Sequence, residues 1–187
     1  MNIAISILRG INVSGHRKIP MADLKALYAG LKLKNITTYI QSGNVVFSAG
    51  KFNPKALQKT IEEKIMEKFG FEVPVVIRTL EEMQSIVAIN PFLKESKIEL
   101  DKMHVTFLAD IPAQDRLEKL KLVHYEPDRF TVLGKEVYLY CPNGYGNSKL
   151  TTNFFESKLK ETATTRNWRT VNELLKIALL ILDSTAS

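Results

Sequence analysis

A mixed α+β chain in two tandem halves is what the sequence predicts, on three observations. Short β-branched apolar runs alternate with stretches of helical period. The same succession of elements is read twice along the 187 residues. Segments of the two halves also sit at a near-constant offset, 91 residues between Arg78-Thr79 and Arg169-Thr170 and 92 between Asn44–Ser48 and Glu136–Tyr140. A fixed offset over two elements favours a duplicated fold over coincidence.

In the first half, Ile3 to Leu8 reads as a strand closed by Arg9-Gly10. A polar loop to Lys18 follows, and Pro20 opens a helix with Met21, Leu24, Leu27, Tyr28 and Leu31 on one stripe. Ile36 to Ile40 and Asn44 to Ser48 are strands joined through Gln41-Ser42-Gly43. Asn53-Pro54 starts the next helix, whose Leu57, Ile61, Ile65 and Phe69 recur every fourth residue, and Gly70 ends it. Glu72 to Arg78 is a strand. Thr79 and Glu82 have capping-box spacing and begin a helix stopped near Ile89 by Asn90-Pro91.

In the second half, a strand is expected over His104 to Ala109, a helix over Pro112 to Val123, and a strand over Phe130 to Leu133. Gly134-Lys135 turns the chain into Glu136 to Cys141. The loop Pro142 to Asn147 leads to a helix from Ser148 to Leu159, then a short polar strand over Thr162 to Arg166. Thr170 and Glu173 repeat the capping-box spacing and begin the last helix. Strand, helix, strand, strand, helix, strand is the split βαβ order. The expected fold is therefore α+β, two tandem ferredoxin-like (βαββαβ) α/β-plait halves, each followed by an extra helix. The expected boundaries are 1–90 for the first half, 91–102 for a linker and 103–187 for the second half.

Composition narrows the class. A hydrophobic fraction of 45% and a charged fraction of 25% belong to a globular chain, not a disordered one. The single cysteine, Cys141, excludes an internal disulfide framework, fits a reducing compartment, and reads foremost as a packing residue. The opening MNIAISILRGIN has no basic region before its apolar run, so it reads as a buried strand and not a signal peptide. The longest uniformly apolar run, Ile177 to Leu182, is six residues and too short for a membrane span. A cytoplasmic location without membrane partners is expected.

The net charge of +6 is uneven. From Arg9 to Ile61 nine basic residues face one acid, Asp23, while everything from Glu62 onward sums to −2. Such asymmetry points to an anionic partner or to a lysine-rich solvated face. Three polar segments are candidates for the chemistry. In the loop Leu8 to Lys18, two glycines permit close backbone approach, and Arg9, Arg17 and Lys18 are placed to converge on an anion just before a helix, with Asn12 between them in the loop. The spacing is neither a Walker loop nor a dinucleotide fingerprint. Gln41, Ser42 and Asn44 surround Gly43, where the alternative reading is local turn chemistry. Lys149, beside Ser148 as the expected helix cap, belongs to a second glycine loop. Arg166, Asn167 and Trp168 precede the last helix; Trp168 reads first as a core or hinge anchor, and an arginine stacked on it or paired with a phosphate is the alternative.

Other chemistries are set aside. His16, His104, His124 and one cysteine have no metal-ligand spacing, and no metal or cofactor is expected. No nucleophile elbow or paired carboxylates stand in the candidate loops. The aromatic motif of RNA-recognition sheets is lacking, with only Phe47 on strand three and Tyr138 and Tyr140 in the second half.

Leu8-Arg9-Gly10-Ile11-Asn12-Val13, Tyr39-Ile-Gln41-Ser42-Gly43-Asn44-Val45, Asn90-Pro91-Phe92, Ser148-Lys149-Leu150 and Thr165-Arg166-Asn167-Trp168 occur in this order. Together they resemble the bacterial domain-of-unknown-function 1697 family, from Ile5 to about Ala178. The resemblance implies a cytoplasmic bacterial protein of duplicated α/β plaits and implies no activity. Ser14-Gly15 replaces the Gly-Gly frequent in that family's first loop. The leading expectation is a binding module for a phosphorylated ligand, a nucleotide or nucleic acid, lined by Arg9, Asn12, Arg17, Gln41, Ser42, Asn44, Lys149, Arg166, Asn167 and Trp168. The alternatives are an enzyme acting on a small phosphorylated metabolite, with Lys149 or Arg166 as electrostatic stabiliser, and a homodimeric interaction protein seamed along Ile177 to Leu182.

Overall fold

The computed structural model describes residues 2–186. Over these residues the chain is α+β, with two four-stranded antiparallel sheets and six α-helices. It falls into two compact units. One is the chain up to Ser85 together with its part from Glu173 onward, and the other is Ile86–Asn172. The sequence order placed all of 103–187 in the second half; in the fold, the part from Glu173 groups with the first unit.

The first unit holds β1 (Asn2–Leu8), α1 (Met21–Gly30), β2 (Lys34–Tyr39), β3 (Asn44–Ala49), α2 (Pro54–Phe69) and β4 (Val75–Thr79), followed by α3 (Leu80–Ala88). Its sheet order is β2-β3-β1-β4. Alternation along the strands divides the side chains between two faces. Ala4, Leu8, Val45, Phe47, Val75 and Ile77 meet the buried stripes of α1 (Leu24, Leu27, Tyr28) and α2 (Ile61, Ile65). The Tyr28 ring sits edge-on to Phe47 at 5.6 Å, and its hydroxyl bonds Ser6 Oγ. The opposite face, with Ile3, Ile5, Ile7, Val46 and Val76, is buried as well. α2 is delimited as its sequence dictates, by Asn53 accepting from the Ala56 amide at 3.0 Å and by left-handed Gly70. The first capping box also forms: the Thr79 amide donates to Glu82 at 2.8 Å, and the Glu82 amide donates to Thr79 Oγ1 at 3.2 Å.

The second unit holds β5 (Met103–Leu108), α4 (Gln114–Lys121), β6 (Arg129–Leu133), β7 (Glu136–Tyr140), α5 (Thr152–Leu159) and β8 (Ala163–Asn167), with α6 (Trp168–Ala186) beginning in it. Its sheet order is β6-β7-β5-β8. Leu108, Val137, Leu139, Cys141 and Ala163 pack with Leu120, Phe155 and Leu159. Phe155 makes edge contacts with Phe130 at 5.6 Å and Phe154 at 5.1 Å.

Several sequence boundaries move, each for a local reason. β4 starts at Val75 and not Glu72, because Pro74 has no amide for the ladder and gives its carbonyl to Arg9 instead, at 2.9 Å. The expected linker carries two short 3-10 turns, Pro91–Lys94 and Leu100–Lys102. α5 begins at Thr152, not Ser148: Thr151 is its cap and accepts from Phe154 at 3.2 Å, while Ser148 Oγ accepts from Leu150 at 3.0 Å. α6 begins at Trp168, so the second capping box is not one. Asn167 accepts from the Thr170 amide at 2.8 Å, which places Thr170 and Glu173 inside the helix.

The ladder registers place the offset segments on the two sheets. Val46 lies opposite Ile5, and Tyr138, 92 residues further on, lies opposite Val105. Arg78, however, faces Ile5 as Arg166 faces Val105. Arg78 and Arg166 are 88 residues apart, whereas the sequence match paired Arg78 with Arg169.

Candidate functional site

Two places stand out, one in each unit. The first is the end of the first sheet where β1 and β4 meet the β2–β3 turn. The amide of Leu8 donates to Gly43 at 2.8 Å and that of Arg9 to Pro74 at 2.9 Å. Ile11 and Ile19 then drop into the core and fasten both ends of the loop. Between them the chain doubles back, with Val13 bridged to His16 and the Asn12 amide donating to Arg17 at 3.2 Å. Asn12 ties the loop to the neighbouring turn: its Nδ2 donates to Ile19 at 3.0 Å and Gln41 at 2.7 Å, and its Oδ1 accepts from Ile19 at 2.9 Å.

The backbone here is strained. Of thirteen left-handed residues among those described, seven lie in this loop and turn: Gly10, Asn12, Ser14, Gly15, Arg17, Ile40 and Gly43. Outside glycine such conformations cost about 1–3 kcal/mol each and persist where the surroundings enforce them. Ile40, β-branched at φ 50, is the sharpest case. Gly43 is obligatory for a second reason, since a Cβ there would stand 2.7 Å from both Leu8 Cβ and Ile11 Cδ1.

Six of the ten residues singled out by sequence belong to this end. Arg9 is half-buried, Arg17 and Gln41 are exposed, and a Cβ on Gly10 would lie 3.7 Å from Arg17 Nη1. Asn12 and Asn44 hold local structure: Asn44 Nδ2 donates to the Tyr39 carbonyl at 3.1 Å and to Ser42 Oγ at 2.9 Å. His16, Lys18 and the apolar Val13 and Ile40 are exposed beside them in sequence. α1 starts at Met21 after Pro20, with no side chain capping its first amides.

The other four residues lie in the second unit. Lys149 Nζ sits over the Tyr125 ring at 5.5 Å, at a distance in sequence from the helix start expected to use it. Arg166 donates to Thr164 Oγ1 and to the Thr165 carbonyl, both at 2.9 Å, and burial pulls its pKa down to about 10. Asn167 caps α6, and Trp168 is buried with its carbonyl accepting from Asn172 at 2.7 Å. The glycine loop before Lys149 is tied down by its own turn and by its neighbours, with Asn147 Nδ2 donating to the Asn143 carbonyl at 2.9 Å. Tyr145 stacks on His104 at 4.6 Å and accepts from the Thr152 amide at 3.1 Å, and hydroxyl contacts of 2.7 Å link Thr152 to Thr165 and Thr165 to Thr106. Desolvation lowers the His104 pKa, and burial raises that of the Cys141 thiol despite its bond with Ser148.

The second place was not read from the sequence. A cavity of about 680 Å³ opens in the second unit between α4, the segment 122–128 and β6. Leu117, Leu120, Val123, Tyr125, Phe130 and Val132 form its apolar wall. Arg129 lines it too, paired with both carboxylate oxygens of Glu95 at 3.1 and 2.9 Å and lying 5.2 Å from the rings of Phe92 and Tyr140. The only signal was the run Val123-His-Tyr-Glu-Pro-Asp-Arg129, aromatic and charged where neither period holds. Among the described residues no cluster of His, Cys, Asp and Glu is placed to hold a metal, and no helix is long and apolar enough to cross a membrane.

No curated protein matches the chain. Its fold is similar to the solved structure of a conserved bacterial protein, SP0830 from Streptococcus pneumoniae, at a TM-score of 0.75 and 17% identity, over 95% of this chain and 98% of that one. At such identity the likeness is one of fold alone. The profile of the proteins of unknown function DUF1697 matches residues 1–138, and with the loop and turn sequences placed as described, the chain belongs to that family.

Proposed function

We propose that the chain is a binding protein for a phosphate-bearing ligand, a nucleotide or a nucleic-acid strand, held at the loop end of the first unit. The observation that carries this reading is the concentration of left-handed backbone in two segments pinned together by Asn12, in the stretch where nine bases face one acid. Strain kept at one place is characteristic of functional loops. Arg9, Arg17 and Lys18 supply cations, the uncapped start of α1 supplies amides, and exposed Val13 and Ile40 offer apolar contact for a base. Other cations of the same unit, Lys25, Lys32, Lys34 and Lys51, are exposed over its surface, which favours an extended polyanion over an isolated phosphate. Catalysis is not part of the proposal, because Asp23 is the one acid between Arg9 and Ile61 and it pairs with Lys68 at 3.9 Å.

The two units are read here as tandem ferredoxin-like plaits that arose by duplication. Their matching strand orders and the paired positions Arg78 and Arg166 support this. Both arginines donate from Nη1 to the carbonyl of the preceding residue, at 2.9 Å in each case. A cytoplasmic setting belongs to the same proposal and rests on the single free, buried cysteine.

The test is titration of ATP and of a labelled single-stranded oligonucleotide at two salt concentrations. Binding should weaken with salt, and the Arg17→Ala/Lys18→Ala double variant should bind about tenfold or more weakly. Its salt dependence should be shallower by about 0.7 in log–log slope for each phosphate it no longer neutralises. Flat titrations for both ligands, or a double variant that binds as the parent does, refute the reading.

A further inference from the structure

The two sheets share a strand order, and each leaves a hairpin strand at one edge, β2 in the first and β6 in the second. An open edge presents unpaired N–H and C=O groups that invite another strand, and folded proteins blunt such edges. β2 is blunted. Its register shifts between Lys34 and Thr37, Asn35 is left-handed at φ 51, and Lys32 and Lys34 stand exposed at that end. β6 is not. It runs beside β7 from Arg129 to Leu133 without a shift.

The ladder fixes which β6 groups face outward. The Cys141 amide donates to Lys102 at 3.0 Å and the Leu108 amide to Lys135 at 2.8 Å, so odd-numbered positions along β7 turn toward β5. Even-numbered positions therefore bond β6, which engages Arg129, Thr131 and Leu133. The amides and carbonyls of Phe130 and Val132 are left pointing to the open edge. Their side chains border the cavity of about 680 Å³, beside Leu117, Leu120 and Tyr125.

Charge on the rim has a sign. Lys121 is held by Glu118 at 2.8 Å and Arg129 by Glu95 at 2.9 Å. The other two carboxylates that line the cavity, Glu126 and Asp128, have no side-chain hydrogen bond or ion pair among the described residues. A regular edge, an apolar cavity flush with it and two open carboxylates are the parts that strand addition uses: main-chain bonds for affinity, a pocket for alternate side chains and a charge for register. We propose that the β6 edge and its cavity take an extended peptide segment of a partner protein, with an apolar side chain in the cavity and a Lys or Arg against Glu126 and Asp128. This inference is independent of the anion-binding reading, since it uses other residues of another unit.

The test uses the full chain and three acetylated heptapeptides of alternating valine and threonine: one ending in lysine, one ending in glutamate, and the lysine peptide with alternate amides N-methylated. Binding followed by fluorescence anisotropy should be seen for the lysine peptide, be about tenfold weaker for the glutamate peptide and be lost on methylation. Glu126→Gln/Asp128→Asn should remove the preference for lysine. Val132→Pro, which deletes an outward amide and spares the β6–β7 ladder, should abolish binding while circular dichroism stays unchanged. No binding by any peptide, or equal binding by the methylated one, overturns the proposal. So does self-association of the chain that Val132→Pro abolishes, because a second copy would then be the occupant.

Discussion

Gly43→Ala should destabilise the first unit far more than Gly70→Ala, although both glycines are left-handed, at φ 76 and φ 80. The conformational term is common to both, about 1–2 kcal/mol for an L residue in that region. The steric term is not. At Gly70 nothing stands within 4 Å of an added Cβ, whereas at Gly43 the Cβ would lie 2.7 Å from Leu8 Cβ and from Ile11 Cδ1. The Ile11 side chain can shift, but Leu8 is fixed in β1, its amide bonded to Gly43 itself at 2.8 Å. Overpacking of this kind costs about 1–3 kcal/mol more. The expected losses are therefore about 2–5 kcal/mol for Gly43→Ala and about 1–2 kcal/mol for Gly70→Ala. With a urea slope of about 2 kcal/mol/M, the midpoints fall by about 1–2.5 M and about 0.5–1 M. Urea unfolding followed by circular dichroism measures both. Equal shifts would show that the loop yields to the methyl group and would refute a rigid close packing of Gly43 on Leu8 and Ile11.

Other expectations follow from single contacts. Asn12→Ala removes three side-chain hydrogen bonds and should cost about 2–3 kcal/mol; hydrogen exchange should quicken at Ile19, and unchanged protection there refutes the anchoring role. Asn167→Ala should lower stability by about 1 kcal/mol through loss of the α6 cap, while Asn167→Asp is nearly neutral; a thermal melt that ranks them otherwise refutes the assignment. Burial holds the Tyr28 and Tyr138 phenols above their ordinary 10.0. Their neutral forms thus favour the fold fully below pH 10, and that contribution declines as pH rises beyond it, because the unfolded chain gives up these protons first. Tyr28→Phe should make the alkaline decline less steep, and an unaltered slope refutes the claim. For the homodimer reading, the exposed Leu180 (60%) and Leu182 (39%) supply the seam, so Leu180→Lys should turn a dimer into a monomer by light scattering; a parent chain already monomeric at high concentration removes that reading.

Local signals were legible where their cause is local. Asn53-Pro54 and Gly70 bound α2 because a side-chain acceptor and a left-handed residue act within a few positions of themselves. The first capping box formed for the same reason. The second, Thr170 to Glu173, failed because Asn167 offers an equivalent acceptor three residues earlier, at the point where β8 releases the chain. Spacing alone does not rank competing caps. The 91-residue match of Arg78 with Arg169 does not carry into the ladders, where Arg78 faces Ile5 in β1 and it is Arg166 that faces Val105 in β5.

The alternation of apolar runs, the turn glycines and the charge asymmetry determine an α+β chain with helices on a hydrophobic sheet face, since each depends on neighbours in sequence. Tertiary structure decided the rest. Only the tertiary structure shows that the Asn12 side chain clamps Gln41, 29 residues away, which turns two separate polar segments into one strained end of a sheet. Only packing shows that α4 and β6 diverge enough to leave a cavity between residues as ordinary as Leu117 and Val132. A void is a property of how surfaces meet, and no single residue carries its signature.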